Sequence, residues 1–309
     1  MVREHLDADV DEPTALGSGA AVIVGDASWA YFPEPSRGVL GTTLVWAQSR
    51  GATQTNLITD ERDGLLAFTA DGFAEPAPRV WQAIGRTIVA LDPERPEIPA
   101  PPDCPESTAI LAGLDLAVVA DHGVWIGDLN GLEVARVGLR GEECEVDIGV
   151  GAYDQFASAA LSIDRDEESA LAKVIEMVRP HRVADADPHP IGRLVRSRWL
   201  RSQIIADPQL AGLVELHPIP LLIPRPGLVE SQPAAASGVD TEGRKVLVIC
   251  STGIDLGVVE TAAGLSAFIE ADRVVVVMPA RDHHPRIGQS LKTLAVPAEL
   301  VALEGEWSD

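Results

Sequence analysis

The chain has 309 residues, 46% hydrophobic and 23% charged, with 47 acids against 24 Lys plus Arg and a formal net charge of −23. That length and apolar content suit a globular protein with a sizeable core. The charge argues against a nucleic-acid or anionic-membrane partner, since both would be repelled. Cys104, Cys144 and Cys250 lie far apart without CxxC spacing, which argues against a disulfide framework or a zinc ribbon. The opening MVREHLDADVDEP is acidic and lacks the apolar stretch of a signal peptide, and no apolar run is long enough to span a bilayer. A cytoplasmic location is the expectation.

Residues 1–17 are polar and predicted to fray. AAVIVG (20–25) reads as a strand. Pro35 and Ser36 offer a helix start, Leu40, Leu44 and Ala47 follow at helical spacing, and Gly51 suits the end. QTNLIT (54–59) reads as a strand and 64–71 as a short helix. Strands at 80–84 and 87–91 flank a turn at Gly85-Arg86. Residues 18–92 thus have the cadence of an α/β segment. A proline-rich stretch, DPERPEIPAPPDC, separates it from a central α+β unit over 105–182. There, short strands at 115–120, 124–126, 132–139 and 145–150 look antiparallel. Two helices follow, one carrying Phe156, Ala160 and Leu161, the other Leu171, Val174, Ile175 and Val178.

Residues 183–243 read as connection with one helix near 192–205, and PAAASG (233–238) as a flexible loop. The α/β cadence returns over 244–304. Strands are expected at 246–250, 274–278 and 299–303, with helices at 256–270 and 286–294. Continuous Val/Ile/Leu runs signal strands covered on both faces. The expected fold is therefore α/β: mainly parallel sheet built from the two end segments, with a smaller α+β unit of short antiparallel strands and helices between them. The shared cadence of the ends fits either one sheet or two facing halves.

Standard motifs are missing. No lysine completes a phosphate-binding loop, and GxGxxG after the first strand, GxSxG and HExxH do not occur. Leu256 stands where a cysteine-phosphatase loop after Cys250 would need arginine. What survives is Cys250-Ser-Thr-Gly-Ile-Asp255 at the end of a predicted parallel strand, where α/β folds place ligands. Ser251 and Thr252, with the first amides of the next helix, would suit a phosphate or carboxylate. The plainer alternative is a helix cap and a tight turn. The next strand ends in Arg281, Asp282, His283 and His284. If the strands are neighbours, Arg281, Asp282 and His283 join Ser251, Thr252 and Asp255 at one edge; the alternative is a solvated polar loop. Arg193, Arg196, Arg198 and Arg201 spread over about half of a helical wheel, so internal ion pairs are expected rather than a nucleic-acid grip.

The middle segment carries Asp121, Asp128, Glu133, Glu143, Glu145 and Asp147 on short strands, after a helix with Glu106. Helix, strands, helix is loosely similar to the core of restriction-endonuclease-like enzymes. That resemblance implies a divalent metal held by an acid on one strand, Asp128, and an acid-x-lysine on the next, beginning at Glu145. Here Asp147 replaces the lysine. Acids facing solvent on an antiparallel sheet are the alternative.

Three functions stay open. The first is a small anionic ligand, a nucleotide or phosphorylated metabolite, bound by Ser251, Thr252, Asp255, Arg281, Asp282 and His283, with no cofactor specified. The second is a metal-dependent phosphodiester hydrolase using Asp128, Glu145 and Asp147, the only reading that needs a divalent metal. The third is a structural or partner-binding protein with Trp29, Tyr31 and Phe32 in an exposed patch. A homo-oligomer is compatible with each.

Overall fold

The computed structural model describes His5 and residues 12–151, 167–183, 186–255 and 257–304. The expected helix with Phe156, Ala160 and Leu161 lies outside them. Three sheets organise the chain. The first has β1 (Thr14–Leu16), β2 (Gly19–Val24), β3 (Ala27–Phe32), β4 (Gln54–Thr59), β5 (Arg79–Ile84) and β6 (Thr87–Ala90) in that spatial order. Helices α1 (Val39–Ser49) and α2 (Gly64–Ala70) make its parallel crossovers. The second follows α3 (Pro105–Gly113) and is an antiparallel meander of β7 (Ala117–Asp121), β8 (Val124–Leu129), β9 (Leu132–Arg140) and β10 (Glu143–Ile148). After it come α4 (Glu167–Val178), α5 (Pro190–Arg193) and α6 (Arg196–Ala206). The third sheet runs β11 (Leu213–Ile219), β12 (Ala234–Asp240), β13 (Lys245–Cys250), β14 (Arg273–Pro279), β15 (Ala298–Leu303), with α7 (Gly257–Ile269) and α8 (Pro285–Leu291) in its crossovers.

The fold is mixed α/β, and the expectation of mainly parallel sheet needs correction. Parallel pairing is confined to β3–β4–β5 and β13–β14–β15. Tight turns add antiparallel strands on one side of the second run and on both sides of the first. Gly25, at φ 64°, turns β2 into β3, and Gly243, at φ 75°, turns β12 into β13. The two ends do not share one sheet. Each has the same order: two antiparallel pairings, then two parallel ones, β1 to β5 in one and β11 to β15 in the other. They are two halves of one design, facing each other through α1, α2 and α7.

One core spans both halves. Leu40, Leu57 and Leu66 of the first pack with Leu247, Ile249 and Val258 of the second. Close approach is enforced at Gly72, where a Cβ would lie 2.2 Å from the Ala263 carbonyl oxygen. The Val/Ile runs of β13 and β14 divide by parity. Leu247, Ile249, Val274 and Val276 face that shared core, while Val246, Val248, Val275 and Val277 face Leu200 and Ile204 of α6. Helix α6 therefore lies between the third sheet and the middle one.

Several expectations fail for definite reasons. PAAASG is not a flexible loop: Ala234–Asp240 is an inner strand, with Ala234, Ala235 and Ala236 buried. Small side chains suit it, because a Cβ at Gly238 would come 1.9 Å from the Glu215 carbonyl oxygen. Trp29 and Phe32 lie in the core rather than in an exposed patch, since Ala27–Phe32 is an inner strand. The helix expected over 192–205 is broken at Val195, at φ 41°. Cys104 and Cys144 form a disulfide, where their spacing argued against a disulfide framework. The antiparallel meander returns Cys144 to the start of α3, which no spacing rule reveals.

Candidate functional site

The carboxyl ends of β3 and β13 occupy equivalent places in the two halves. Each leads through a short loop into a helix, α1 or α7, and the two helix N-termini meet. Gly38 and Gly257 are so close that a Cβ on Gly257 would sit 3.3 Å from the Gly38 Cα. Two positive helix ends thus converge. Glu260 answers that field from within α7. Its carboxylate accepts hydrogen bonds from the Gly38, Leu40 and Gly41 amides at 3.2, 2.9 and 3.4 Å. Burial still raises its pKa above the ordinary glutamate range, against those three bonds. Arg37, just before α1, donates to Asp255 at 2.8 Å and to the Ser231 carbonyl at 2.9 Å.

A cleft of about 380 Å³ opens at this meeting point, within the roughly 300–1,000 Å³ typical of small-molecule sites. Its apolar walls come from Val39, Leu65, Leu66 and Leu265 of the helices and from Leu222 and Ile223 of the segment joining β11 to β12. Its polar groups are Ser36, Arg37, Asp63, Thr69, Glu230, Gln232, Glu260 and Thr261. Among the described residues the Gln232 side-chain oxygen is buried without a hydrogen-bond partner.

Beside the cleft, a shallow depression is lined by Arg196, Ser231, Thr252, Gly253, Arg281 and Asp282. Ser231 links the two through the Arg37 hydrogen bond. Strands β13 and β14 are parallel neighbours, so Thr252, Arg281 and Asp282 share one sheet edge. Inside that group the acids have taken the amides. Asp282 accepts from the Gly253 amide at 2.7 Å, and Asp255 accepts from Gly257 at 2.8 Å. Ser251 is buried, and its amide bonds the Val277 carbonyl. Thr252 is held by Ser197, hydroxyl to hydroxyl at 3.3 Å. His283 is exposed and does not line the depression. Thr252, Arg196 and Arg281 all line the depression, with Arg281 3.9 Å from the Asp282 carboxylate. Burial pushes the Cys250 thiol up to about 12, so it is no nucleophile.

Asp128, Glu145 and Asp147 are not brought together. Strand β9 separates β8 from β10. Asp128 is buried against Arg201 at 3.4 Å, whereas Glu145 and Asp147 both pair with exposed Arg140. Among the described residues, no group of three or more His, Cys, Asp or Glu side chains is placed to hold a metal ion. Arg198 of the arginine-rich helix bonds Asp121 at 2.8 Å, so this helix ties the middle sheet to the third.

Arg37, Gln232 and Glu260 escaped the sequence reading. For Glu260 a signal existed: it is an acid amid Val258, Val259, Ala262 and Ala263 on an otherwise apolar helix. No protein-family model matches the chain, and neither the curated proteins nor the solved structures contain a match. No helix of the described residues is long and apolar enough to cross a membrane.

Proposed function

We propose that the protein binds a small organic anion with an apolar body, such as a nucleotide or phosphorylated metabolite, at the junction of its two halves. The observation that carries this reading is the pairing of an apolar cleft with an adjoining depression lined by Arg196, Arg281 and Thr252. The apolar part of the ligand fills the cleft between Val39, Leu66, Leu222 and Leu265. Its anionic group meets the guanidinium of Arg281, which is half-exposed and therefore reachable. Asp282 stands beside Arg281 and repels a bare polyanion, which favours one negative group with hydroxyl-bearing neighbours.

The test is thermal unfolding against a series of alkyl and aryl monophosphates and carboxylates of increasing apolar size. Stabilisation should appear by mass action and strengthen with apolar size, because each added methylene buried contributes about 0.8 kcal/mol. A flat response across the series would refute the reading.

A further inference from the structure

Behind the candidate site lies a second, smaller cavity, walled by the middle sheet, α6 and the segment joining β11 to β12. It is lined by Asp121, Asp128, Arg198, Arg201 and Arg225 together with apolar residues such as Ile126. The centre of a water-sized sphere has about 20 Å³ in which to move, which is room for one water molecule or one halide ion.

The charges around it do not balance. Arg198 bonds Asp121 at 2.8 Å, and Arg201 bonds Asp128 at 3.4 Å. The remaining carboxylate oxygens are also taken, that of Asp121 by His122 and that of Asp128 by the Gly131 amide. Among the described residues Arg225 has no carboxylate partner. Its terminal nitrogens donate to the carbonyls of Glu230, Gln232 and Pro233 at 3.0–3.2 Å. A buried charge without a counter-ion is costly. Arg182 adds a further buried guanidinium nearby, held by the Asn130 and Leu194 carbonyls. Two donors are also left over. Among the described residues, the Nε groups of Arg201 and Arg225 are buried without a hydrogen-bond partner, and the Arg201 side chain is only 7% exposed. Burial and the neighbouring Arg198 and Arg201 push the Arg225 pKa down to about 9, so it remains a cation at neutral pH.

We infer that this cavity is a built site for one small monovalent anion of the halide class, held between the guanidinium groups of Arg201 and Arg225. A single negative charge there offsets the excess of the lining residues, three arginines against two aspartates, and accepts from the unpartnered donors. A neutral water satisfies hydrogen bonds but leaves the charge. Phosphate and organic anions are too large for the space. The site also joins the middle sheet to the rest of the molecule, because Asp121 and Asp128 belong to β7 and β8 while the arginines come from α6 and the segment before β12.

Thermal unfolding at constant ionic strength, with sodium gluconate replaced stepwise by sodium chloride, tests the inference. The midpoint should rise with chloride, in proportion to the logarithm of its concentration once the site is filled, by about 5 °C in all. Arg225→Met keeps the packing stem and removes the charge, so its midpoint should not depend on chloride. No chloride response in the parent, or an equal response in the variant, would overturn the site. Chloride NMR line broadening on the parent protein decides independently if the variant does not fold. Broadening reversed by bromide is expected, and unbroadened lines in the parent would also overturn it.

Discussion

At the residue scale, the buried pair Asp128–Arg201 carries the clearest consequence. Both side chains are almost fully buried, at 6% and 7% exposure. Removing one partner strands the other without solvent, so Asp128→Ala should lose about 3–5 kcal/mol in urea unfolding. A loss under 1 kcal/mol would mean that the pair is not buried in solution. Glu260 makes a different prediction. Its folded pKa is raised, so its contribution to stability is complete below the ordinary glutamate value and is lost as pH rises through the folded value. The stability of the parent relative to Glu260→Gln should therefore fall as pH rises from about 4.5. A difference that grows with pH would show that the three helix amides outweigh burial. Sequence made the Ser251–Asp255 junction and the polar end of β14 visible, because hydroxyls and charges after an apolar run are conspicuous. It could not show that Asp282 and Asp255 consume the nearby amides, since that depends on how two loops meet in space.

At the element scale, strands and helices of the last segment were legible because their apolar runs and periodicities are long. Val274–Met278 reads as strand in any context, and it is strand. Ala234–Asp240 was not legible. Small residues carry no periodic signal, and their reason for being there is the closeness of β11, visible only at Gly238. Ala27–Phe32 was missed because the two-residue turn at Gly25-Asp26 joins it directly to β2. The disulfide between Cys104 and Cys144 ties the start of α3 to β10 across 40 residues. On the loop-entropy model such a link contributes about 4 kcal/mol. Cys144→Ser should lower stability by up to that amount, read by urea unfolding of the oxidised parent and the variant. Equal stability would show that the bond contributes nothing in solution.

At the scale of the whole molecule, two halves with one connectivity enclose a common core, and the middle sheet attaches through α6 and its arginines. The repeated cadence was visible in the sequence, but sequence left open whether it meant one sheet or two. The answer lies in the helices: α1 and α2 of the first half pack on α7 of the second and keep the two sheets apart. This arrangement places equivalent strand–helix junctions face to face, and the cleft is a product of that symmetry rather than of either half alone. The central claim is that a ligand uses both parts of this junction, cleft and cationic edge. The most direct measurement is calorimetric titration of parent and Arg281→Ala with the most stabilising phosphate or carboxylate of the size series. Loss of one charged hydrogen bond should weaken binding by about 1.5–3 kcal/mol, with the heat of binding still detectable because the apolar contacts remain. Unchanged affinity in Arg281→Ala, or no binding to the parent by any member of the series, would contradict the account.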